Sequence, residues 1–240
     1  MTSTGLGEET GKEAVGTRAA EAVSSGMVLG LGTGSTVFFF LQALGKRLQQ
    51  GDLNDIVGVP TSLQTEEEAR RQGIPLTTLE AAGTLDLTVD GADEVDPALD
   101  LIKGMGGALL REKMVAQASR RFLVIVDDRK LVSCLGTRSP LPVEVVPFGW
   151  GSHLRFLEEQ GARAVLRTRP DGFPFVTDNG NHLLECHFEG GIPDTGGLAQ
   201  ALAHRAGVVG DGLFLGLAHE VLVSSDGGVR ALTRGEERTL

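Results

Sequence analysis

The chain has 240 residues, with 22 Lys and Arg against 32 Asp and Glu, so its formal net charge at pH 7 is −10. This acidic balance argues against a nucleic-acid or anionic-membrane partner, because both bind dense Lys and Arg. A hydrophobic content of 41% and a charged content of 22% exclude wholesale disorder. The length is enough to bury a hydrophobic core in one large domain or two smaller ones.

In the first half of the chain, short apolar strands alternate with helices. A polar, glycine-rich segment at 1–10 predicts a frayed end, and a helix follows it. Strands are predicted at 27–32, 56–59, 85–89 and 122–126. Helices are predicted at 35–48, 63–72 and 109–120, the first of them with a Ser or Thr cap. Strands that are apolar throughout and separated by helices predict a parallel sheet covered on both faces.

The pattern changes after Gly136, where three prolines within a short stretch indicate a boundary. The segments that follow are predicted as a strand from 143, a helix at 153–160, strands at 162–167 and 183–188, a helix at 197–206 and a strand from 208. Residues 173–176 are either a further strand or a loop. This order resembles the split βαβ of ferredoxin-like domains. Apolar segments at 213–217 and 220–223 predict strands that could return to the first sheet.

These patterns predict an α/β protein with a Rossmann-like parallel-sheet domain and a smaller ferredoxin-like α+β domain inserted toward the C-terminus. The expected domains are residues 1–136 plus 212–240 for the first and 137–211 for the second. The clusters of reactive side chains described next lie outside 137–211. We therefore expect the small domain to serve oligomerisation.

The first cluster is the sequence GLGTGST at 30–36. A glycine-rich turn between a strand and a helix presents backbone N–H groups and the positive end of the helix to an anion. A dinucleotide fingerprint would need Gly at the position of Ser35, and the G-K-[ST] of a P-loop is absent. The loop therefore suits one compact phosphate better than a pyrophosphate. A tight turn that binds no ligand is the alternative.

The second cluster is acidic and reads DLTVDGADEVD at 86–96. Asp90 stands where an apolar strand ends, and open α/β sheets bind ligands at that carboxyl edge. Asp93 and Glu94 follow within one turn. Neighbouring carboxylates raise one another's pKa, which favours proton transfer near neutral pH. The alternatives are a solvated acidic turn and a cation site.

The third cluster, LIKGMGGALLREK, occupies 101–113. Lys103 follows an apolar pair and enters a glycine-rich turn that opens a helix. Such a turn aims backbone N–H groups at a developing oxyanion, and the lysine supplies positive charge. Glu112 is expected in the second turn of that helix, where a surface salt bridge is the common role of a glutamate.

Metal ligation and nucleophilic catalysis are not indicated. The five histidines show neither HxH nor HExxH spacing, and a G-x-S-x-G elbow is absent. Cys186 and His187 are adjacent on a predicted strand and therefore point to opposite faces. We expect neither a metal nor another cofactor.

Taken together, these motifs resemble ribose-5-phosphate isomerase, type A. The matching blocks are GLGTGST (30–36), DGADEVD (90–96), IKGMGGALLREK (102–113), PLPVEVVP (140–147) and TDNGN (177–181). The resemblance extends over residues 12 to 190. It implies an isomerase that interconverts ribose 5-phosphate and ribulose 5-phosphate through an enediolate, without a cofactor, as a homodimer or homotetramer.

The resemblance also implies roles for single residues. Glu112 matches the base that moves the proton between C1 and C2, Asp90 and Asp93 match carboxylates that bind the sugar hydroxyls, and Lys103 matches the group that stabilises the enediolate. The remaining substrate-binding positions are Lys12 and Lys130 toward the phosphate, and Thr33, Gly34, Ser35, Thr36, Gly91, Ala92, Gly104, Met105 and Gly106.

The sequence departs from the family pattern at two places. Met105 interrupts three consecutive glycines, so an N–H donor survives there only if position 105 needs no positive φ. Arg129 precedes Lys130 where a small residue is common, which bears on the role of Lys130.

Other functions remain in view at this point. A sugar-phosphate sensor on the same sheet would need a helix-turn-helix domain, for which the residues before Lys12 are too few. A related amino-sugar phosphate deaminase would need a histidine near the carboxylates, but the first histidine is His153. A CoA transferase of the same superfamily is a further alternative. An interaction module would need none of the three clusters. The expected partner is a small sugar phosphate, with no nucleic acid or membrane.

The cysteines and apolar runs bear on location. Cys134 and Cys186 form no CxxC motif, which is typical of reduced thiols in a cytosolic protein. The N-terminal segment lacks the apolar core of a signal peptide. The longest apolar runs outside glycine-containing segments have five residues, too few to span a membrane. We expect a cytoplasmic protein.

Overall fold

The structure, a computed structural model, describes residues 3–226 and 228–234. The chain forms two compact units. Unit 1 comprises Met1–Ala92, Arg111–Lys130 and Leu217–Leu240, and unit 2 comprises Asp93–Leu110 and Leu131–Gly216. Segment 93–110 therefore groups with unit 2, whereas the predicted small domain begins at 137.

The elements follow one another along the chain with short connections. The helices are α1 (Ser3–Glu21), α2 (Ser35–Gln50), α3 (Leu63–Arg71), α4 (Leu79–Ala82), α5 (Leu109–Gln117), α6 (Ser152–Glu159) and α7 (Thr195–Ala203), and a 3₁₀ turn spans Asp128–Lys130. The strands are β1 (Val28–Leu31), β2 (Val57–Pro60), β3 (Leu87–Asp90), β4 (Glu94–Val95), β5 (Leu101–Ile102), β6 (Phe122–Asp127), β7 (Leu141–Val145), β8 (Arg163–Leu166), β9 (His182–His187), β10 (Val208–Asp211), β11 (Leu213–Phe214), β12 (Glu220–Ser225) and β13 (Gly228–Thr233).

Unit 1 is built on a six-stranded sheet with the order β13-β12-β6-β3-β1-β2. All neighbouring strands are parallel except the β12–β13 hairpin. Leu29, Phe40 and Ile125 are fully buried in the core shared by this sheet with α1 and α2. Full burial of such a side chain contributes about 1.5–3 kcal/mol. The predicted parallel sheet is confirmed.

The parallel arrangement places several chain segments at one edge. The carboxyl ends of β1, β2, β3, β6 and β12 lie at the same edge because these strands are parallel neighbours. Helix α5 connects β3 to the parallel strand β6 and therefore runs back along the sheet, so its N-terminal end lies at that edge as well. This edge receives the segments that follow β1, β2, β3 and β6.

Unit 2 contains the predicted ferredoxin-like arrangement. Its four-stranded antiparallel sheet has the order β10-β7-β9-β8, with α6 between β7 and β8 and α7 between β9 and β10. Leu141, Val143 and Val145 alternate toward a core that includes Leu157 and Leu202. Residues 173–176 form no strand; they contribute isolated bridges at Pro174 and Val176.

Two local predictions are wrong, and two short strands were missed. Helix α1 begins at Ser3, within the segment predicted to be frayed. Residues 213–217 do not return to the first sheet, because β11 pairs with β5 in a three-stranded sheet of unit 2. Residues 220–223 do return, within β12. The short strands β4 and β5 were not predicted, since two-residue strands carry no measurable periodicity.

No helix of the described residues 3–226 and 228–234 is both long enough and apolar enough to cross a membrane.

Candidate active site

Two glycines let strand β1 lie close to its neighbours. A Cβ on Gly30 would lie 1.9 Å from Thr88 Oγ1, and a Cβ on Gly32 would lie 2.2 Å from Asp90 Cγ. Neither position can carry a side chain without displacing β3. The glycines of loop 30–36 thus serve close packing against Asp90 as well as the turn itself.

Asp90 is fully buried at the carboxyl end of β3. Its Oδ1 accepts hydrogen bonds from the backbone N–H of Thr33 at 3.1 Å and of Gly91 at 2.7 Å. Hydrogen bonds to a carboxylate are stronger than bonds between neutral groups. The side chain therefore joins loop 30–36 to the segment that follows β3. Complete burial rules out a solvated acidic turn for Asp90.

A group of buried hydroxyls also forms hydrogen bonds with loop 30–36. Thr33 Oγ1 is hydrogen-bonded with Thr61 at 2.8 Å, Ser62 at 2.8 Å and Thr65 at 3.0 Å. Thr65 Oγ1 also donates to the carbonyl of Gly32 at 2.8 Å. These hydroxyls were missed in the sequence. The signal was present, since Thr61 and Ser62 directly follow β2, the parallel neighbour of β1.

Helix α2 begins without a side-chain cap. Its N-cap is Gly34, with a φ of +119°, so the predicted Ser or Thr cap is wrong. Ser35 and Thr36 instead occupy the first turn. Backbone N–H groups at the start of a helix lack intrahelical acceptors and carry the positive end of the dipole. The arrangement can bind an anion through these amides and the two hydroxyls.

Glu112 lies in the first turn of α5, one turn earlier than predicted, and is only 4% exposed. Such burial excludes the surface salt bridge that is common for helical glutamates. Helix α5 also packs beside β1, because a Cβ on Gly30 would lie 2.5 Å from Val115 Cγ1. Glu112 is therefore a buried carboxylate at the carboxyl edge of the sheet.

The two predicted lysines of unit 1 are half-buried at the same edge. Lys130 ends the 3₁₀ turn that follows β6. Lys12 is on α1 directly after Gly11, where a Cβ would lie 3.2 Å from Ser224 Oγ near the end of β12.

The departure at Arg129 has a local explanation. Arg129 Nε lies 2.9 Å from Asp127 Oδ1, and its Nη2 lies 3.1 Å from Oδ2. Burial raises the pKa of Asp127, but the bonds and charge of Arg129, with the charge of Lys130, outweigh it and lower that pKa overall. Arg129 is thus directed at Asp127.

In unit 2, Lys103 and Asp93 surround the glycine-rich turn 103–107. Lys103 is only 2% exposed, and its Nζ lies 5.4 Å from the centroid of the Phe214 ring, a cation–π distance. The backbone N–H of Lys103 donates to the carbonyl of Gly212 at 2.9 Å. Asp93 Oδ2 accepts from the backbone N–H of Met105 at 3.0 Å. A buried cation and a carboxylate therefore flank this turn.

Met105 is compatible with the turn. The positive φ angles fall on Gly104 (109°) and Gly107 (84°), and Met105 is not among the non-glycine residues with positive φ. The backbone at 105 therefore tolerates a side chain, which is 41% exposed. The N–H of Met105 survives, as expected, but it is donated to Asp93.

Glu94 belongs to the acidic cluster of the sequence but has a different role. It is fully buried and accepts hydrogen bonds from the backbone N–H groups of Gly136, Arg138 and Ser139, each at 2.6 Å. It therefore anchors the segment that precedes β7. Its position in the sequence, next to Asp93, gave no indication of this.

The predicted site residues are divided between the two units. Unit 1 contains Lys12, Thr33, Gly34, Ser35, Thr36, Asp90, Gly91, Ala92, Glu112 and Lys130. Unit 2 contains Asp93, Lys103, Gly104, Met105 and Gly106. The chain passes between the units after Ala92 and after Leu110, close in sequence to Asp90, Asp93 and Glu112.

Within 3–226 and 228–234, no group of three or more His, Cys, Asp or Glu side chains is arranged to hold a metal ion. His153 is buried in unit 2, and this burial, followed by the charge of Arg205, lowers its pKa. Burial, followed by the charge of Glu185, raises the pKa of the Cys186 thiol to about 12.

The family model of ribose 5-phosphate isomerase A (phosphoriboisomerase A) matches residues 57–228. The chain belongs to this family. It is 53% identical over 232 residues to the ribose-5-phosphate isomerase A of Chloroflexus aurantiacus, covering 97% of each chain. It is 47% identical to a probable chloroplastic ribose-5-phosphate isomerase of Arabidopsis thaliana, covering 97% of this chain and 86% of that one.

Solved structures of ribose 5-phosphate isomerases share the fold. A D-ribose-5-phosphate isomerase in complex with phospho-erythronic acid superposes with a TM-score of 0.92 at 40% identity, over 95% of this chain and 99% of that one. The ribose 5-phosphate isomerase from Plasmodium falciparum gives a TM-score of 0.91 at 39% identity, over 95% and 100%.

Proposed function

We propose that this protein interconverts D-ribose 5-phosphate and D-ribulose 5-phosphate through an enediolate. The observation that carries the proposal is the 53% identity to a ribose-5-phosphate isomerase A over 97% of both chains. Such an isomerisation needs a base at C1 and C2, a stabiliser for the enediolate and an anchor for the phosphate. The chain supplies a candidate for each.

The transfer of the proton between C2 and C1 is assigned to Glu112. The carboxylate removes the proton from C2 of the open-chain aldose, the C–H electrons form the C1–C2 double bond, and the carbonyl oxygen on C1 takes up the negative charge. The hydroxyl proton on the C2 oxygen then moves to the C1 oxygen, and return of the abstracted proton to C1, with formation of the C2 carbonyl, gives the ketose. Burial of Glu112 supports this role, since a carboxylate fixed in a water-poor site needs little reorganisation of solvent to accept the proton.

Stabilisation of the negative charge that develops on the enediolate oxygen is assigned to Lys103 and turn 103–107. Lys103 is a buried cation, and a positive group in a water-poor site stabilises an oxyanion more strongly than the same group in water. Asp90 and Asp93 are assigned to the sugar hydroxyls and to ring opening, with Gly91 and Ala92 between them.

The binding site for the substrate phosphate is assigned to the start of α2. Gly34, Ser35 and Thr36 supply amides and hydroxyls there, and Lys12 and Lys130 supply positive charge. This local site offsets the repulsion that a chain of net charge −10 exerts on a phosphate.

The test is a coupled assay with ribose 5-phosphate beside glucosamine 6-phosphate. Turnover of ribose 5-phosphate, with exchange of its C2 proton into deuterated solvent, is expected. Turnover of the amino sugar with ammonia release would instead identify a deaminase. Absence of both activities, with binding of the sugar phosphate retained, would favour a non-catalytic sensor.

We further propose that the chain assembles through the small domain predicted at 137–211, as a homodimer or homotetramer, in the cytoplasm. Phe148, Phe173 and Val176 are 93%, 63% and 54% exposed there, and large exposed apolar side chains favour an interface. Both cysteines are free thiols, as in reducing compartments. Light scattering should give a mass above the 25.3 kDa of one chain, and Phe148→Ser should lower it.

A further inference from the structure

Arg167 directly follows β8, and its side chain is only 10% exposed. Its Nη1 donates to the backbone carbonyls of Gly104 at 3.3 Å and Met105 at 3.1 Å. Its Nε donates to Glu185 Oε1 at 2.6 Å. One guanidinium thus joins turn 103–107 to the antiparallel sheet of unit 2.

These contacts determine the direction of two peptide planes. The described chain contains no cis peptide bonds, and in a trans peptide the N–H points away from the C=O. Holding the carbonyls of Gly104 and Met105 on the side of Arg167 therefore turns the N–H groups of Met105 and Gly106 away from it. The first of these N–H groups reaches Asp93 Oδ2 at 3.0 Å.

The arginine is itself held in place. Glu185 lies on β9 opposite Val165 of β8, so the ion pair follows from the register of the sheet. The Phe175 ring lies 5.6 Å from the guanidinium, and the N–H of Phe175 donates to the carbonyl of Arg167 at 2.9 Å.

Phe175 also contacts the far end of the turn. A Cβ on Gly107 would lie 2.7 Å from the tip of the Phe175 ring, so only glycine fits there beside it. Arg167 at 104–105 and Phe175 at 107 thus hold both parts of the turn that follows Lys103.

We propose that Arg167 is a positioning residue for the isomerase reaction. Arg167 acts through turn 103–107, where it orients the turn amides, the Asp93 carboxylate and the adjoining Lys103. It does not itself contact the substrate. The proposal rests on the proposed function. Arginine suits the role because its planar fork of donors can bond two carbonyls and a carboxylate together, whereas the lysine ammonium cannot match this geometry.

The test compares Arg167→Met, which keeps much of the apolar stem, with Arg167→Lys, which keeps the charge. In Arg167→Met we expect kcat to fall by about 10- to 100-fold, since displacing a catalytic group by about 1 Å costs a factor of this order. KM should change less than about threefold, because phosphate binding belongs to loop 30–36. The kcat of Arg167→Lys should lie between those of the wild type and Arg167→Met.

A binding measurement separates positioning from simple loss of stability. Phospho-erythronic acid carries a carboxylate that resembles the charged enediolate, so its calorimetric affinity should fall by the same factor as kcat/KM. The affinity for inorganic phosphate should stay unchanged. Glu185→Gln, which keeps an acceptor for Arg167 and removes only the charge, should show the same pattern with a smaller loss.

Arg169→Ala is the matched control, because Arg169 lies two residues further on, is 53% exposed and pairs with Asp171. It should retain wild-type kcat. Wild-type kcat and analogue affinity in Arg167→Met would overturn the proposal, and so would equal losses of analogue and phosphate affinity. Failure of the unaltered protein to isomerise ribose 5-phosphate would overturn the proposed function instead, while the two affinities would still report on positioning.

Discussion

Loop 30–36 and turn 103–107 are both glycine-rich and both lead into a helix, but they are held by different means. Neutral hydroxyls from the segment after the neighbouring parallel strand surround Thr33. Turn 103–107 is instead held by the charged side chains of Arg167 and Asp93. Loop 30–36 is held by these hydroxyls and by the Asp90 carboxylate, which lie on or after neighbouring strands of one sheet, whereas turn 103–107 depends on Arg167, which is distant in sequence.

The difference matches the proposed tasks. The hydroxyls bonded to the Thr33 side chain are neutral and add no repulsion toward a phosphate at the start of α2, whereas the Asp90 carboxylate accepts from the backbone N–H of Thr33. Stabilisation of an oxyanion depends on donors held in one orientation before charge develops, which the strong bonds of a guanidinium can provide. We therefore expect changes around loop 30–36 to act mainly on KM and changes around turn 103–107 and its helix to act mainly on kcat.

The largest effect is expected for Glu112→Gln, which keeps the shape and hydrogen-bonding capacity but cannot accept the proton. Loss of a general base typically costs about 10²- to 10⁴-fold, so kcat should fall at least about a hundredfold with KM little changed. Exchange of the C2 proton with solvent deuterium should also cease. Steady-state kinetics and proton NMR provide the two measurements.

Glu67→Gln serves as its control, since that side chain is 72% exposed on α3. If Glu112→Gln kept more than about a tenth of the wild-type kcat, the base would lie elsewhere and Asp90 would be the next candidate.

Lys12→Ala tests the phosphate side of the comparison. Removing one charge-assisted bond to a phosphate should raise KM about tenfold and change kcat less, because the phosphate is bound equally in the ground and transition states. Lys46→Ala, an exposed lysine on α2, should leave both parameters unchanged. An unaltered KM in Lys12→Ala would remove Lys12 from the site.

Thr65→Val tests whether the hydroxyls around Thr33 support loop 30–36. The change deletes the bonds of Thr65 Oγ1 to Thr33, to Ser62 and to the carbonyl of Gly32, a buried residue. It should lower the free energy of unfolding by about 1–3 kcal/mol and raise KM severalfold. Urea denaturation and kinetics measure the two effects. Thr17→Val, exposed on α1, is the control; equal effects in both variants would show that the hydroxyl group does not support the loop.

The smallest effect is expected from chelation. The described residues hold no cluster of three or more metal-ligating side chains, so exhaustive EDTA treatment should leave turnover unchanged. Loss of activity that a divalent cation restores would contradict the proposed proton transfer without a metal.

Much of this architecture follows from local sequence pattern. The run of apolar residues in β6 and the glycines around β1 predicted a buried parallel sheet with a ligand-binding edge, because side-chain period and backbone freedom are local properties. The motifs around Asp90 and Lys103 similarly predicted reactive side chains at turns. The burial of Glu112 was not predicted, since a glutamate in a first helical turn is compatible with either exposure or burial.

Tertiary structure alone decided which distant segments meet. Asp93 and Glu94 are neighbours in sequence, yet one accepts from the turn at Met105 and the other anchors the backbone of 136–139. Arg167 reaches carbonyls 62 and 63 positions away because the register of β8 and β9 places it beside Glu185. Such contacts depend on strand order and register, which arise from the packing of the whole unit. The spacing of residues along the sequence therefore does not predict these contacts.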